Sequence, residues 1–210
     1  MTKNAKQKLK PLAVTCTSTD CERNLHCFRM TKKLKANGME GKCRACGASL
    51  VDWRRMHAKN LSDAEHTFAT LRLETIRHHF WHIPLSLYAI NYARRKGKVA
   101  LRAAAIRQIQ QRVGQATNYR DGFQTPRENS AHANAIDYAQ HATACCCRIC
   151  IDEWYGVPRG RELTRSEVEY FADLAMLYLD SRIPDLAPDS IRVPSITASA
   201  SDGAGSSHAT

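Results

Sequence analysis

The chain has 210 residues, 43% of them hydrophobic and 24% charged, with nine cysteines and a formal net charge of +11. This length supports one good domain with a small appendage, and a core large enough to need no disulfide. No apolar run of about 18 residues exists, so no membrane span is predicted. The basic start MTKNAKQKLKPLAVTC has no apolar stretch suited to a signal peptide. The expected location is therefore the cytoplasm, where reduced cysteines serve as thiols or metal ligands.

Charge is unevenly placed. Residues 1–60 carry fourteen Lys/Arg against four acids, 92–127 carry nine against one, and 151–192 carry nine acids against five Lys/Arg. Two basic regions and an acidic end point to a polyanion-facing side, and DNA or RNA is the commonest such partner. Solvated helix faces are the plainer explanation.

Residues 1–15 form a Lys-rich basic arm expected to be mobile. Residues 16–60 predict a Cys-rich, zinc-ribbon-like module. In Cys43-Arg-Ala-Cys46-Gly47, two thiolates two residues apart can reach one ion, and the glycine lets the backbone turn beneath it. A tetrahedral site needs two more ligands. Cys27 is the preferred one, and Cys21 or His26 can complete the set, so Cys21, Cys27, Cys43 and Cys46 are the working ligands. Ordinary buried or free thiols are the alternative. Leu50, Val51 and Trp53 are predicted to pack this module on the main body, while Arg54, Arg55, His57 and Lys59 add basic surface.

From 61 to 186 the pattern is that of a bundle of about five helices. The first has Ser62 as N-cap and runs to about Ile83, because Pro84 disfavours helix in the residue before it. Leu73, Ile76, Phe80 and Ile83 share one face, and Glu74, His78 and His82 form a stripe almost opposite, at spacings that allow a shared metal or a proton relay. A second helix ends at Gly97. The third, with Arg102, Arg107 and Arg112 on its exposed side, stops at Gly114. Residues 115–130 are a polar loop offering Arg120, Gln124, Thr125 and Arg127. A fourth helix over 131–155 carries HATACCCRICIDEW, where Cys146 and Cys150 stand at i, i+4 and Cys147, Cys150 and Trp154 at i, i+3, i+7. Metal binding there competes with simple packing of small cysteines. Thr164 and Glu167 form a capping box for the last helix, which ends near Arg182. Residues 187–210 are expected to be a disordered tail.

The run from Asp121 to Leu186, about a third of the chain, resembles a family of small bacterial proteins known only as a domain of unknown function. The matching pieces are Gln124-Thr125-Pro126, Ala139-Gln140-His141-Ala142-Thr143-Ala144, Cys146-Cys147-Arg148-x-Cys150, Trp154, Val157-Pro158-Arg159-Gly160 with Glu162-Leu163-Thr164, and Pro184-Asp185-Leu186. The family has a histidine after the tryptophan where this chain has Tyr155, so any ligand role there is lost or moved. The resemblance implies that His141, Cys146, Cys147, Arg148 and Cys150 belong to a recurrent pattern, with Cys145 outside it. It implies no activity.

These features predict a mainly α protein holding one or two Zn2+ ions, with Cys21, Cys27, Cys43, Cys46, Cys147 and Cys150 as ligands. The leading functional expectation is a nucleic-acid-binding module contacting phosphates through Arg94, Arg95, Lys96, Arg102, Arg120 and Arg127. A metal-dependent hydrolase or nuclease built on Glu74, His78, His82 and His141 is the second, although no familiar enzyme motif occurs. A protein-interaction adaptor with structural zinc is the third.

Overall fold

The computed structural model describes residues 14–116, 126 and 132–193. Among them the chain is helical, with α1 Lys32–Ala36, α2 Trp53–His57, α3 Ala64–Leu71, α4 Thr75–His82, α5 Leu87–Val113, α6 Ala135–Ala142, α7 Arg148–Tyr155 and α8 Arg165–Arg182. The extended pairings are two isolated bridges, Asp20 with Leu25 and His26 with Glu74. No described helix is long and apolar enough to cross a membrane.

The described helices number eight rather than five because two predicted helices are split and the N-terminal module adds two short ones, while the two that meet at Gly97 run together across a kink as α5. The first break replaces one helix over 62–83 with α3 and α4. His26 N donates to Leu73 O at 2.7 Å and Thr75 N donates to His26 O at 2.9 Å, so Leu73 and Glu74 leave the helix to pair with the module. This tertiary pairing overrides a helical pattern that contains no glycine or proline. The start also differs: Asn60, not Ser62, supplies the cap, its Oδ1 accepting from Ser62 N in a 3-10 turn before α3.

Gly97 interrupts α5 where a helix end was predicted, with φ 69° and ψ 167°. A Cβ there would meet the Asp189 backbone at 2.3 Å, because residues 187–191 cross at this point. Lys98 N and Val99 N donate to Ala187 O and Pro188 O, and Ile191 N donates to Arg94 O. Residues 194–210 lie outside the described residues.

The third break separates α6 from α7. Ala144 takes a positive φ of 55°, and Cys147 becomes the N-cap of α7, accepting from Cys150 N. The cysteines therefore occupy a turn and a helix start, not one continuous helical stripe.

Around these breaks α5 packs on α8, α6 touches α4, α5 and α8, and α2 rests on α7. The Thr164–Glu167 capping box forms as predicted. Arg182, at the end of α8, donates to the Phe80, Trp81 and Ile83 carbonyls and so closes the C-terminal end of α4. The module docks through Phe28 and Trp53, whose rings lie 5.6 and 5.4 Å from that of Trp154. Val51 is buried as predicted, whereas Leu50 stays exposed.

Candidate metal centres

Two groups of side chains could each hold a metal ion. In the first, Cys21, His26, Cys43 and Cys46 each offer one donor atom, all within 4.8 Å of one another. Cys21 opens a 3-10 turn that ends on left-handed Asn24. Cys43 and Cys46 sit in a tight knuckle, where Gly47 N donates to Cys43 O at 2.9 Å and Gly47 has φ 77°. The His26–Glu74 bridge fixes His26, whose Nδ1 lies 3.5 Å from Cys46 Sγ. Its Nε2 donates to Asn24 Oδ1 at 3.0 Å, which leaves Nδ1 free for an ion. Burial pushes the Cys43 thiol up, but backbone hydrogen bonds from Cys46, Cys27 and Ala45 outweigh it and leave the thiol at about 6. One ligand of this group is thus an available thiolate near neutral pH.

Cys27, the preferred upstream ligand of the sequence, is not in the group; His26 stands in its place. Backbone at a bridge is extended, and successive side chains there point to opposite faces. With His26 facing the knuckle, Cys27 faces inward, where its Sγ donates to Cys16 O at 3.2 Å. Burial raises its thiol to about 12, so it favours the protonated form.

The second group is Cys146, Cys147 and Cys150, again with sulfurs within 4.8 Å. Cys147 Sγ lies 3.3 Å and Cys146 Sγ 3.8 Å from Cys150 Sγ. Beneath them runs a buried polar chain. Arg77 donates Nη2 to Cys150 Sγ at 2.9 Å, Nη1 to His141 O at 2.6 Å, and Nε to Glu74 Oε2 at 3.0 Å. Trp154 Nε1 donates to the same Glu74 oxygen at 3.1 Å. Hydrogen bonds from Cys146 and then Cys150 lower the Cys147 thiol to about 3, while those same contacts push Cys146 well up. The three sulfurs are close enough that the protonation of one sets that of the others. Cys145 turns away to the Thr143 hydroxyl at 3.3 Å.

The proposed catalytic stripe does not assemble. Among the described residues, Glu74, His78, His82 and His141 form no common donor group. Glu74 caps α4 with non-helical backbone and is buried against Arg77 and Trp154. His78 and His82 stack on each other at 3.9 Å, and His82 Nδ1 is bound to His78 O. His141 is buried against Phe80, its Nδ1 bonded to Asp137 O at 2.9 Å, and desolvation lowers it to about 4, so it is a neutral core histidine at physiological pH.

Two of the predicted phosphate contacts pair with acids of the same chain. Arg94 pairs with Asp185 at 2.6 Å and Arg102 grips Asp173 with two hydrogen bonds of 2.5 and 2.9 Å. Lys96 lies over the Tyr92 ring, and Arg95 has no carboxylate partner among the described residues. Arg120, Gln124, Thr125 and Arg127 lie outside the described residues.

A family model described as Domain of unknown function (DUF4186) matches residues 65–180, more than half of the chain. The chain belongs to the DUF4186 family. No solved structure matches it. The DUF4186 region extends well upstream of the stretch that carried the resemblance and contains Arg77, Glu74 and the second cysteine group. The first group lies entirely before it. Arg77, which joins Glu74, His141 and Cys150 beneath the second group, is the residue that the sequence pattern did not single out. Its only signal was the Glu74–Arg77 spacing of i, i+3, hidden among histidines.

Proposed function

We propose that this DUF4186 protein is a zinc-binding protein, with a structural Zn2+ on Cys21, His26, Cys43 and Cys46 holding a basic nucleic-acid-binding module rigid. One observation carries the zinc reading: four protein donors, three sulfurs and one imidazole nitrogen, close to within 4.8 Å. Three sulfurs and a nitrogen suit a tetrahedral, borderline-soft ion, and four protein ligands leave no place for water, as in structural sites. The 3.8 Å between Cys21 Sγ and Cys43 Sγ is close to the span of two Zn–S bonds of about 2.3 Å at a tetrahedral angle.

The polyanion reading moves from α5 to the module. Lys32, Lys33, Lys42 and Arg54 are exposed there without a carboxylate partner among the described residues, whereas Arg94, Lys98 and Arg102 are paired with Asp185, Asp180 and Asp173. Exposed cations on a metal-stiffened module can contact phosphates of DNA or RNA without ordering long loops.

Zinc content per chain tests the first part. A Cys43→Ser protein that keeps all the zinc of the wild type overturns it. Binding to short duplex DNA and single-stranded RNA tests the second. Affinity should fall steeply with added salt and weaken in Lys32→Ala/Lys33→Ala. Absent or salt-insensitive binding overturns that part.

A further inference from the structure

We propose that Cys146, Cys147 and Cys150 form a second metal centre, independent of the first, that binds a thiophilic divalent ion through three thiolates and keeps a fourth position for a ligand from outside the chain. The three sulfurs converge at 3.3 and 3.8 Å about Cys150. Local structure sets them there. The positive φ of Ala144 turns the chain out of α6, and Cys147 caps α7 while Cys150 sits in its first turn. A helix N-terminus favours negative sulfur.

Arg77 completes the argument for charge. A guanidinium that is buried and aimed at two of the three sulfurs, 2.9 Å from Cys150 and 3.6 Å from Cys146, stabilises thiolates and orients them, as outer-layer hydrogen bonds do around bound metals. Each thiol that coordinates gives up its proton to solvent as the ion binds.

The fourth position follows from where the neighbouring donors point. No fourth His, Cys, Asp or Glu atom among the described residues joins the three within 4.8 Å. Neither ring nitrogen of His141 comes within the group, Cys145 turns to Thr143, and the Glu74 carboxylate is occupied by Arg77 and Trp154. Cys146 and Cys150 are buried, but Cys147 is only half-buried, so an outside ligand has a path on its side. Three protein ligands with an exchangeable fourth are the pattern of reactive rather than structural sites.

Cobalt(II), whose ligand-field bands report coordination, distinguishes the possibilities. It is loaded into reduced full-length wild type and into Cys43→Ser, Cys150→Ser, Cys147→Ser and Cys16→Ser, and imidazole is then added. The expected result is two ions in wild type. One is retained by Cys43→Ser and lost in Cys150→Ser and Cys147→Ser, and only that one changes its bands with imidazole. If Cys43→Ser does not fold, the difference spectrum between wild type and Cys147→Ser gives the same information. A single ion unaffected by Cys147→Ser and Cys150→Ser overturns the second centre. A second ion blind to imidazole overturns the open position, and sensitivity gained in Cys16→Ser would assign that position to Cys16, whose thiol lies near enough to Arg77 and Cys150 to feel their charges. Loss of the first ion alone would count against the structural zinc and leave this centre standing.

Discussion

The two cysteine groups reach similar donor density by opposite routes. The first gathers donors from separated segments: Cys21 from a 3-10 turn with no buried residue, His26 from a bridge, and Cys43 and Cys46 from the knuckle. The second grows from neighbouring residues at a turn between α6, every residue of which is buried, and α7. Its sulfurs rest on a polar chain of Arg77, Glu74 and Trp154 inside the core. The difference is one of support: the first group is gathered from separated segments, whereas the second is held by the buried core around it, so loss of an ion should loosen the first group more than the second.

Removing metal breaks the comparison most directly. In small zinc modules the ion supplies on the order of 10 kcal/mol that is folding free energy. A strong chelator under reducing conditions should therefore strip hydrogen-exchange protection from residues 20–48 and leave α5, α6 and α8 protected. Loss of protection in both regions together would show that the groups are not separable.

The next effect tests the second group alone. Arg77→Met leaves Glu74 buried without its cation and the sulfurs without their donor, and breaking a buried pair costs about 3–5 kcal/mol. Urea unfolding should show that loss, with the first group's ion retained. A loss below about 1 kcal/mol would mean that water reaches the pair.

Acid sharpens the contrast further. Desolvation lowers His141 to about 4, against an ordinary value of 6.5. The unfolded chain then binds the proton first as pH falls, so the contribution of this group to stability is complete above about 6.5 and is lost toward 4, amounting to about 3 kcal/mol. Urea unfolding at about pH 7 and about pH 5 should reveal most of it, and His141→Asn should flatten the difference. An unchanged pH slope in that variant would remove His141 as its source.

Helix identity was legible wherever local chemistry decided it. Pro84, Gly97 and the Thr164–Glu167 capping box each ended or started a helix as predicted, because backbone sterics and caps act within a few residues. The break at Leu73–Glu74 was hidden, since its cause is His26 in another segment. The same bridge puts His26 rather than Cys27 in the donor group. Spacing can show that a knuckle wants partners, but the face on which an upstream residue lies depends on that distant pairing. The second group was found for an incomplete reason: its sulfurs meet at a helix start rather than along one stripe, and the guanidinium that organises them carries no motif.

The smallest predicted effect probes how the second group is held in shape. Tyr155 is fully buried, and its hydroxyl donates to Thr143 O at 2.5 Å. Thr143 immediately precedes Ala144, whose positive φ turns the chain toward Cys146 and Cys147. Tyr155→Phe keeps the ring contacts with Phe171 and Tyr170 but leaves a buried carbonyl without that donor, a cost of about 1–3 kcal/mol. The consequence should be local: faster exchange at residues 143–147 and weaker metal uptake by the second group, with the first unchanged. Equal weakening at both groups would show that the Phe28–Trp53–Trp154 contact transmits the loosening, and the two clusters would then be one cooperative unit rather than two.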